Sequence, residues 1–270
     1  MIRSAKVNSG KFGIVETGII HGNMNTDERF YPEDYTVEDR KGVFLARRLM
    51  VGKEFGFDGH KMFMALQKDK KGTWFEIDED YVEDNPDGWS DIDEDILIIT
   101  DKTPGVVIGH PVADCPVVMA FDRELGIAAI GHCSAELVDK KMPMLVIDAL
   151  LDLYGSYDED IFVYVSMCAG KSWTYDSYPK WAKDTKMWEK AITLGKDGLY
   201  HIDLKQVVLE QLLERNIDNV TMSQVDTITN PYYYSNSAAF NGHIEKSGRN
   251  FAGTFYRGRQ KGYVKSKRRK

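Results

Sequence analysis

Apolar and polar positions along the chain predict short strands that alternate with helices. The clearest pattern lies in the centre, where β-rich apolar runs are separated by turn residues. These predicted strands are residues 96–100, 105–112, 115–121 and 126–132. Because only a short turn separates the last two runs, we predict that they pair antiparallel. Further strands are predicted at 12–16, 60–67, 74–77, 161–167 and 220–225.

Helix signals occur between these strands. Thr36 and Asp39 have the spacing of a capping box, which predicts a helix over 37–52. A second helix is predicted over 135–154, where Pro143 either bends the helix or marks its true start. Further helices are predicted at 177–190 and 204–215. The alternation of elements predicts a single-domain mixed α/β (α+β) fold.

Composition narrows the class of protein. Of the 270 residues, 43% are hydrophobic and 29% are charged, which is typical of a globular chain and excludes a disordered one. No apolar stretch approaches the roughly 20 residues of a membrane helix, and the first residues lack the apolar core of a signal peptide. The three cysteines are unevenly spaced, so we expect a reducing, cytoplasmic location.

Charge is unevenly distributed. We predict a domain over residues 1–256 and a mobile basic tail over 257–270, which has eight Lys or Arg residues and no acid. The net charge of -7 therefore comes from an acidic body, which argues against a broad nucleic-acid surface; only the tail has the charge to contact phosphates. The strongly acidic run 76–95 is interpreted as a solvated loop. We expect a small-molecule partner, no membrane, and a monomer or small homo-oligomer.

The predicted hairpin brings two reactive side chains together. Cys115 begins one strand and His132 ends the other, so the two ends lie side by side. With His60, which starts another predicted strand, they form the kind of two-His, one-Cys set that binds catalytic zinc. Zinc would keep the thiol ionised and lower the pKa of a bound water towards ~7. A buried structural Cys and core His residues explain the same spacing.

The residues around Cys115 resemble a known family. Val112-Ala113-Asp114-Cys115-Pro116-Val117-Val118 resembles the TADCxPV signature of the YfiH-like proteins, also called laccase-domain or polyphenol oxidase proteins. Further segments resemble that family in order along the chain: Asn23-Met24-Asn25 with 37–40, Gly59-His60, 95–100 with Pro104-Gly105, Gly131-His132, Leu204 with Gln211-Leu212 and Ile217, Asp226-Thr227, Tyr233-Tyr234-Ser235, and Ser247-Gly248-Arg249. The resemblance therefore covers nearly the whole chain.

The resemblance implies a layered α/β/β/α fold and a zinc site formed by His60, Cys115 and His132. Asp114 is then a candidate to orient a ligand or take part in catalysis. Substrate-binding candidates are Cys168 and Gly170, which match the family's GPCIG loop, together with Tyr234 and Arg249. Family members are associated with phosphorolysis of adenosine, inosine and methylthioadenosine, and with adenosine deamination. A bacterial branch is associated with correcting cell-wall precursors. The copper-oxidase label fits poorly, because the chain has too few histidines for a multicopper cluster.

The chain departs from the family at three motifs, one of which has Asp226 where the family has the Cys of its CT pair. The family's HAGWRG is His132-Cys133-Ser134-Ala135-Glu136-Leu137 here, so its Trp and Arg are missing and Glu136 stands near the lost Arg. The family's SYRR is Ser235-Asn236-Ser237-Ala238, which removes two more arginines. Since arginines commonly anchor phosphate or carboxylate, we expect altered substrate choice. Lys171, Lys246 and Arg249 are candidate replacements.

Three functions are considered. The main prediction, which the resemblance implies, is a zinc-dependent enzyme that acts on purine nucleosides or related nucleotides by phosphorolysis of the N-glycosidic bond, adenosine deamination or both. The second is a cysteine hydrolase or amidase with Cys115 as nucleophile and His132 as base, for example on cell-wall precursors. The third is a non-catalytic nucleotide-binding protein. Cys133 is interpreted as a packing residue, and His110 as a core or rim histidine.

Overall fold

The computed structural model describes residues 11–25, 28–65, 70–88, 92–182, 185–243 and 247–258. Lys246 and the tail beyond Gly258 lie outside this range. The described strands are β1 (Phe12–Glu16), β2 (Met62–Met64), β3 (Trp74–Glu76), β4 (Ile96–Ile99), β5 (Val107–Val112), β6 (Val117–Asp122), β7 (Ile127–His132), β8 (Ile161–Val165), β9 (Trp173–Tyr175), β10 (Ile192–Leu194), β11 (Tyr200–Ile202), β12 (Val220–Met222) and β13 (Asn250–Tyr256). The described helices are α1 (Val37–Phe55), α2 (Glu79–Asp84), α3 (Ala135–Asp139), α4 (Met142–Tyr154), α5 (Thr185–Trp188), α6 (Leu204–Glu214) and α7 (Asn236–Phe240).

Two large sheets form the centre of the fold. The first sheet has the strand order β1-β13-β5-β2, in which β13 lies antiparallel to both β1 and β5 and β2 lies parallel to β5. The second sheet has the order β12-β8-β6-β7-β4-β3, and its centre is the predicted antiparallel hairpin of β6 and β7. A small third sheet has the order β10-β11-β9.

Apolar side chains fill three layers around these sheets. The first sheet packs on α1 through a cluster that includes Phe44, Val51 and Phe255. The two sheets face each other across a second cluster, and the outer face of the second sheet packs on α4 and α6 through a third. Because strands with helices on one face and a sheet on the other are buried on both sides, their sequences are continuously apolar. The expected α/β/β/α order is confirmed.

The capping box predicted at Thr36 is borne out, and the structure decides between the two alternatives for Pro143. The Thr36 hydroxyl accepts a hydrogen bond from the Asp39 N–H (3.1 Å), and the Asp39 carboxylate accepts one from the Thr36 N–H (2.9 Å), so α1 begins with a capping box. The helix predicted over 135–154 is divided into α3 and α4, and Pro143 lies in the first turn of α4. Pro143 therefore marks a start, where its missing N–H costs no helical hydrogen bond.

Three local predictions are wrong in part. Only α5 is helical within the described part of 177–190, because this segment folds into an aromatic cluster in which Trp181 stacks on Trp173 with ring centroids 5.5 Å apart. The acidic run is not wholly a loop, since it contains α2 with Asp78 as its N-cap. The strand predicted from residue 60 begins instead with a 3-10 turn at Gly59–Lys61.

No helix in the described part of the chain has both the length and the apolar character that crossing a bilayer requires.

Candidate functional site

One end of the two-sheet sandwich gathers the reactive side chains that the sequence singled out. His132 ends β7 directly opposite Val117, the first residue of β6. Cys115 precedes Val117 by two residues, and the next N–H after His132, that of Cys133, donates to the carbonyl of Pro116 (2.8 Å). The predicted proximity of the Cys115 and His132 positions therefore follows from the register of the hairpin.

Asp114 fixes the backbone next to Cys115. Its φ of 80° lies in the left-handed region, where a non-glycine residue is held only by its surroundings. Its carboxylate accepts hydrogen bonds from the Thr227 hydroxyl (2.7 Å) and the Ser237 N–H (2.7 Å), and its carbonyl accepts one from the Ala169 N–H (2.7 Å). These contacts hold the backbone that leads into Cys115, and the role of Asp114 in orienting a ligand or in catalysis stays a prediction.

The Cys168–Gly170 segment lies beside Asp114, at the same end of the second sheet. The Thr227 N–H donates to the Cys168 carbonyl (3.0 Å), and Cys168 is fully buried. Gly170 lies so close to Asp226 that an added Cβ would be 2.6 Å from its Oδ2. The segment is thus a tightly held wall of the site, and a ligand would meet the partly exposed Gly170 rather than Cys168.

Arg249 reaches the site from the first sheet. It immediately precedes Asn250, which pairs with Val112 at the end of β5. Its N–H donates to Asn23 Oδ1 (2.8 Å), and its guanidinium lies over the Phe30 ring at 4.9 Å. Tyr234 is held nearby, because its N–H donates to Asn250 Oδ1 (3.0 Å).

His60 lies at the opposite end of the first sheet. Met62 pairs with Val107 at the start of β5, whereas Cys115 follows the end of β5 at Val112. The six residues of β5 span about 16 Å, so His60 is well removed from Cys115. Its carbonyl instead accepts a hydrogen bond from the buried Arg48 side chain (2.9 Å).

The expected zinc site therefore does not assemble from the predicted residues. Among the residues that the structure describes, no three side chains of His, Cys, Asp or Glu are arranged to hold a metal ion. Cys115 and His132 have the right donor atoms, sulfur and imidazole nitrogen, but the third predicted ligand is at the wrong end of β5. The described residues do not fit a three-ligand zinc site.

Lys70 is the site residue that the sequence did not reveal. It lies just before β3, and the Gly72 N–H of its loop donates to Asp95 Oδ2 (2.6 Å). Asp95 precedes Ile96, whose partner on β7 is Gly131, so this loop is anchored beside the position of His132. The Lys70 ammonium contacts Glu136 Oε2 at 2.7 Å. A lone surface lysine has no local sequence signal, and only the register of β3, β4 and β7 places it here.

Burial and the charges of Lys70 and Arg249 shift the pKa values of Cys115 and His132. Cys115 keeps some accessible surface, yet its dense surroundings and Asp114 raise the pKa of its thiol to about 12, against the lowering effects of Arg249 and Lys70. Burial, Arg249 and Lys70 together lower the pKa of His132 to about 4. At pH 7 both groups are therefore neutral, and both lie in the field of the same two cations.

Two neighbouring residues match their predicted roles. Cys133 is fully buried in the cluster on the helix side of the second sheet, so it is a packing residue. His110 is fully buried on β5, and its ring centroid is 6.1 Å from that of His132. Burial and the charge of a protonated His132 lower the pKa of His110 to about 3, so it is a neutral core histidine behind the site.

Two facing sheets covered by helices, with a Cys–His pair at one end, define a layered α/β protein of the YfiH type. The chain belongs to the YfiH-like laccase-domain family, since the family described as multi-copper polyphenol oxidoreductase laccase matches residues 33–255.

Solved structures share the fold. YfiH from Bacillus licheniformis has 17% identity and a TM-score of 0.71, over 92% of this chain and 94% of that chain. YlmD from Geobacillus stearothermophilus has 14% identity and a TM-score of 0.74, over 93% and 94%. A Neisseria meningitidis protein has 14% identity and a TM-score of 0.61, over 92% and 96%. No curated protein matches the sequence. At these identities the likeness shows the fold alone.

Proposed function

We propose that this chain is an enzyme that acts on a purine nucleoside or a related nucleotide at the Cys115–His132 end of the sandwich. The family includes purine nucleoside phosphorylase-like members. The observation that carries the proposal is the Cys115–His132 pair at the partly exposed end of the hairpin, within the electrostatic reach of Arg249. The small-molecule partner and the cytoplasmic location remain predictions.

Between the two family reactions, the geometry favours phosphorolysis. Deamination by this kind of site uses a water activated by three-ligand zinc, and His60 is too far away to complete that set. In phosphorolysis, a phosphate oxygen bonds to ribose C1′ while the C1′–N9 bond breaks and its electron pair leaves with the base. The base takes up a proton, giving free purine and ribose 1-phosphate. A neutral imidazole at His132 can accept one hydrogen bond and donate another, and so orient a ribose hydroxyl.

Zinc remains a prediction within this proposal. When bound, it would supply an activated water or polarise a substrate oxygen, with Cys115 and His132 as two of its ligands. Because the described residues do not supply a third zinc ligand, no step of the proposed phosphorolysis depends on zinc.

The cysteine hydrolase alternative has less support. A nucleophilic cysteine needs a lowered pKa, usually from an ion pair with a histidine. Here burial raises the pKa of the Cys115 thiol to about 12 and lowers that of His132 to about 4, which opposes such an ion pair.

Turnover assays test the proposal. Purified protein is incubated with adenosine, inosine or methylthioadenosine, with and without phosphate, and free base and ribose 1-phosphate are measured. We expect phosphate-dependent base release that falls at least ~100-fold in Cys115→Ser and His132→Asn. His243→Ala, in an exposed loop, is the control. Release of ammonia from adenosine without phosphate would favour deamination, and binding without any product would leave a nucleotide-binding protein. Metal analysis of wild type and Cys115→Ala, purified without chelators, tests zinc.

A further inference from the structure

A groove runs between α5 and α6 in the outer helical layer. Its volume is about 680 Å³, which is within the range of small-ligand sites. Residues from 186–190 form one side and residues from 210–214 the other, and Lys141 joins them from the start of α4. None of these residues belongs to the Cys115–His132 site.

The amide of Gln211 lies at the floor of this groove. Gln211 is 1% exposed, and its Nε2 donates to the Val138 carbonyl (2.8 Å), but its Oε1 has no hydrogen-bond partner in the described part of the chain. The Met187 sulfur lies 2.9 Å from the same Nε2 and covers the amide. A buried acceptor without a donor is unfavourable, and the unbranched Met187 side chain can rotate aside. The floor therefore suits a ligand that brings an N–H group.

The walls of the groove carry both signs of charge. They hold three ammonium and three carboxylate groups, so their formal charges cancel. Four of these groups form two ion pairs, Lys190 with Glu210 (2.7 Å) and Lys141 with Glu214 (3.7 Å). Among the residues that the structure describes, Lys186 and Glu189 form no ion pair. One ammonium and one carboxylate are thus left to a ligand.

We propose that this groove is a second binding site, which takes a short peptide with free termini. The peptide carboxylate would pair with Lys186, its α-ammonium with Glu189, and a backbone N–H with Gln211 Oε1. A metal ion or a phosphate has one sign of charge and would meet repulsion from half of the walls. Met187 and the half-exposed Leu213 offer apolar surface to a small side chain. The inference does not depend on the proposed function.

An NMR titration of the isotope-labelled full chain tests the site. The probes are trialanine and N-acetyl-trialanine amide, which has the same side chains but neither terminal charge. We expect trialanine to shift the backbone amide signals of 186–190 and 210–214 saturably. The capped peptide should bind about tenfold more weakly, because two partly exposed ion pairs are lost.

Charge variants assign the two termini. Lys186→Gln and Glu189→Gln should each weaken trialanine binding about threefold to fivefold, the loss of one partly exposed ion pair, and leave the binding of the capped peptide unchanged. Because the capped peptide reports on the same groove, this difference separates a lost ion pair from a damaged fold. Lys196→Gln is the matched control, since Lys196 is an exposed lysine in the turn between β10 and β11, outside the groove.

Gln211→Met tests the floor. It keeps much of the side-chain volume but removes the acceptor, so we expect it to weaken both peptides by the same factor. The inference is wrong if trialanine causes no saturable shift in the groove, if both peptides bind the wild type equally, or if Lys196→Gln loses as much affinity as Lys186→Gln. Shifts confined to the Cys115–His132 end would also overturn it. No turnover is measured, so the result is independent of the proposed reaction.

Discussion

Asp114 combines a left-handed backbone with three short hydrogen bonds beside Cys115. Asp114→Ala would leave the Thr227 hydroxyl and the Ser237 N–H without their buried acceptor while keeping a Cβ in the left-handed region. We expect a loss of about 3 kcal/mol in the free energy of unfolding, measured by urea denaturation. Asp114→Gly removes the same carboxylate without the Cβ strain and should lose about 1 kcal/mol less. Equal stabilities of the alanine and glycine variants would show that the backbone there is unstrained.

Glu16 is a second residue whose environment has a measurable consequence. Its Oε1 accepts hydrogen bonds from the Met167 N–H (2.8 Å) and the Tyr164 hydroxyl (3.1 Å), which join the end of β1 to the segment that carries Cys168. Burial raises the pKa of Glu16 to about 7, against the lowering effects of these two bonds and of Lys205. Tyr233 also faces this carboxyl.

The sign of the pH effect follows from that raised pKa. Between about pH 4.5 and pH 7 the folded protein holds a proton on Glu16 that the unfolded chain has lost, so stability from this group falls as pH rises. The resulting loss in the free energy of unfolding is up to about 3 kcal/mol, and it is complete above pH 7. Glu16→Gln keeps an acceptor but cannot ionise.

We therefore expect the wild type to lose stability relative to Glu16→Gln as the pH rises from 5 to 8, measured by denaturation at each pH. The difference between the two proteins cancels the titration of His110 and His132. A difference that stays constant with pH would contradict the raised pKa of Glu16.

At the scale of single residues, the sequence predicted the one juxtaposition that a single hairpin controls. Cys115 and His132 lie at neighbouring strand ends, and this juxtaposition needs no long-range information. His60 was included because it starts a predicted strand and resembles a short motif, and the parallel register of β2 on β5 places it elsewhere. Lys70 depends on the lateral order of three strands, which composition and periodicity do not encode.

Arg48 connects helix α1 to the segments next to the first sheet. It is almost fully buried, and its guanidinium donates to the carbonyls of Gly59 (2.7 Å), His60 (2.9 Å) and Asp87 (2.6 Å). Burial lowers its pKa to about 10, with Asp87 and Asp58 opposing the shift, so it stays charged at pH 7. The buried Arg48 guanidinium therefore holds the Gly59–His60 segment and Asp87 against helix α1.

Arg48→Met tests this role. The variant keeps much of the apolar stem but leaves the three carbonyls without a donor, so we expect it to destabilise the fold by about 2–4 kcal/mol. Thermal denaturation measures the change. His60→Ala, which keeps the carbonyl that Arg48 contacts, should change stability by less than about 1 kcal/mol. A large loss in His60→Ala with little change in Arg48→Met would reverse this assignment.

Elements with strong local signals were predicted well. The capping box began α1, and Pro143 marked the start of α4, because both signals act within one helical turn. The helix predicted over 177–190 forms only in part, because Trp181 and Trp188 pack into an aromatic cluster with Trp173. These tertiary contacts override the local helical preference. Strand β13 was missed altogether. It is buried on both faces and contains Gly253, so it lacks the alternation that marks a strand.

For the whole molecule, the layered fold was expected from the resemblance rather than from periodicity. Periodicity predicted strands and helices but not which strands share a sheet. The two clusters that face opposite sides of the second sheet draw on alternate residues of the same strands, such as Ile98 and Ile99 of β4. Once both faces are covered, every position is apolar, and the sequence no longer distinguishes the inner face from the outer one.

The position of β13 in the first sheet has a consequence for how the molecule is made. Strand β1 pairs with β13, and β13 separates β1 from β5, so contacts join the earliest and latest strands of the described chain. During synthesis on the ribosome, β1 would stay unpaired until β13 emerges. Such high contact order slows folding and leaves a nascent sheet edge open to aggregation. Arg249 directly precedes β13, so it reaches its place near the Cys115–His132 pair only when this strand pairs.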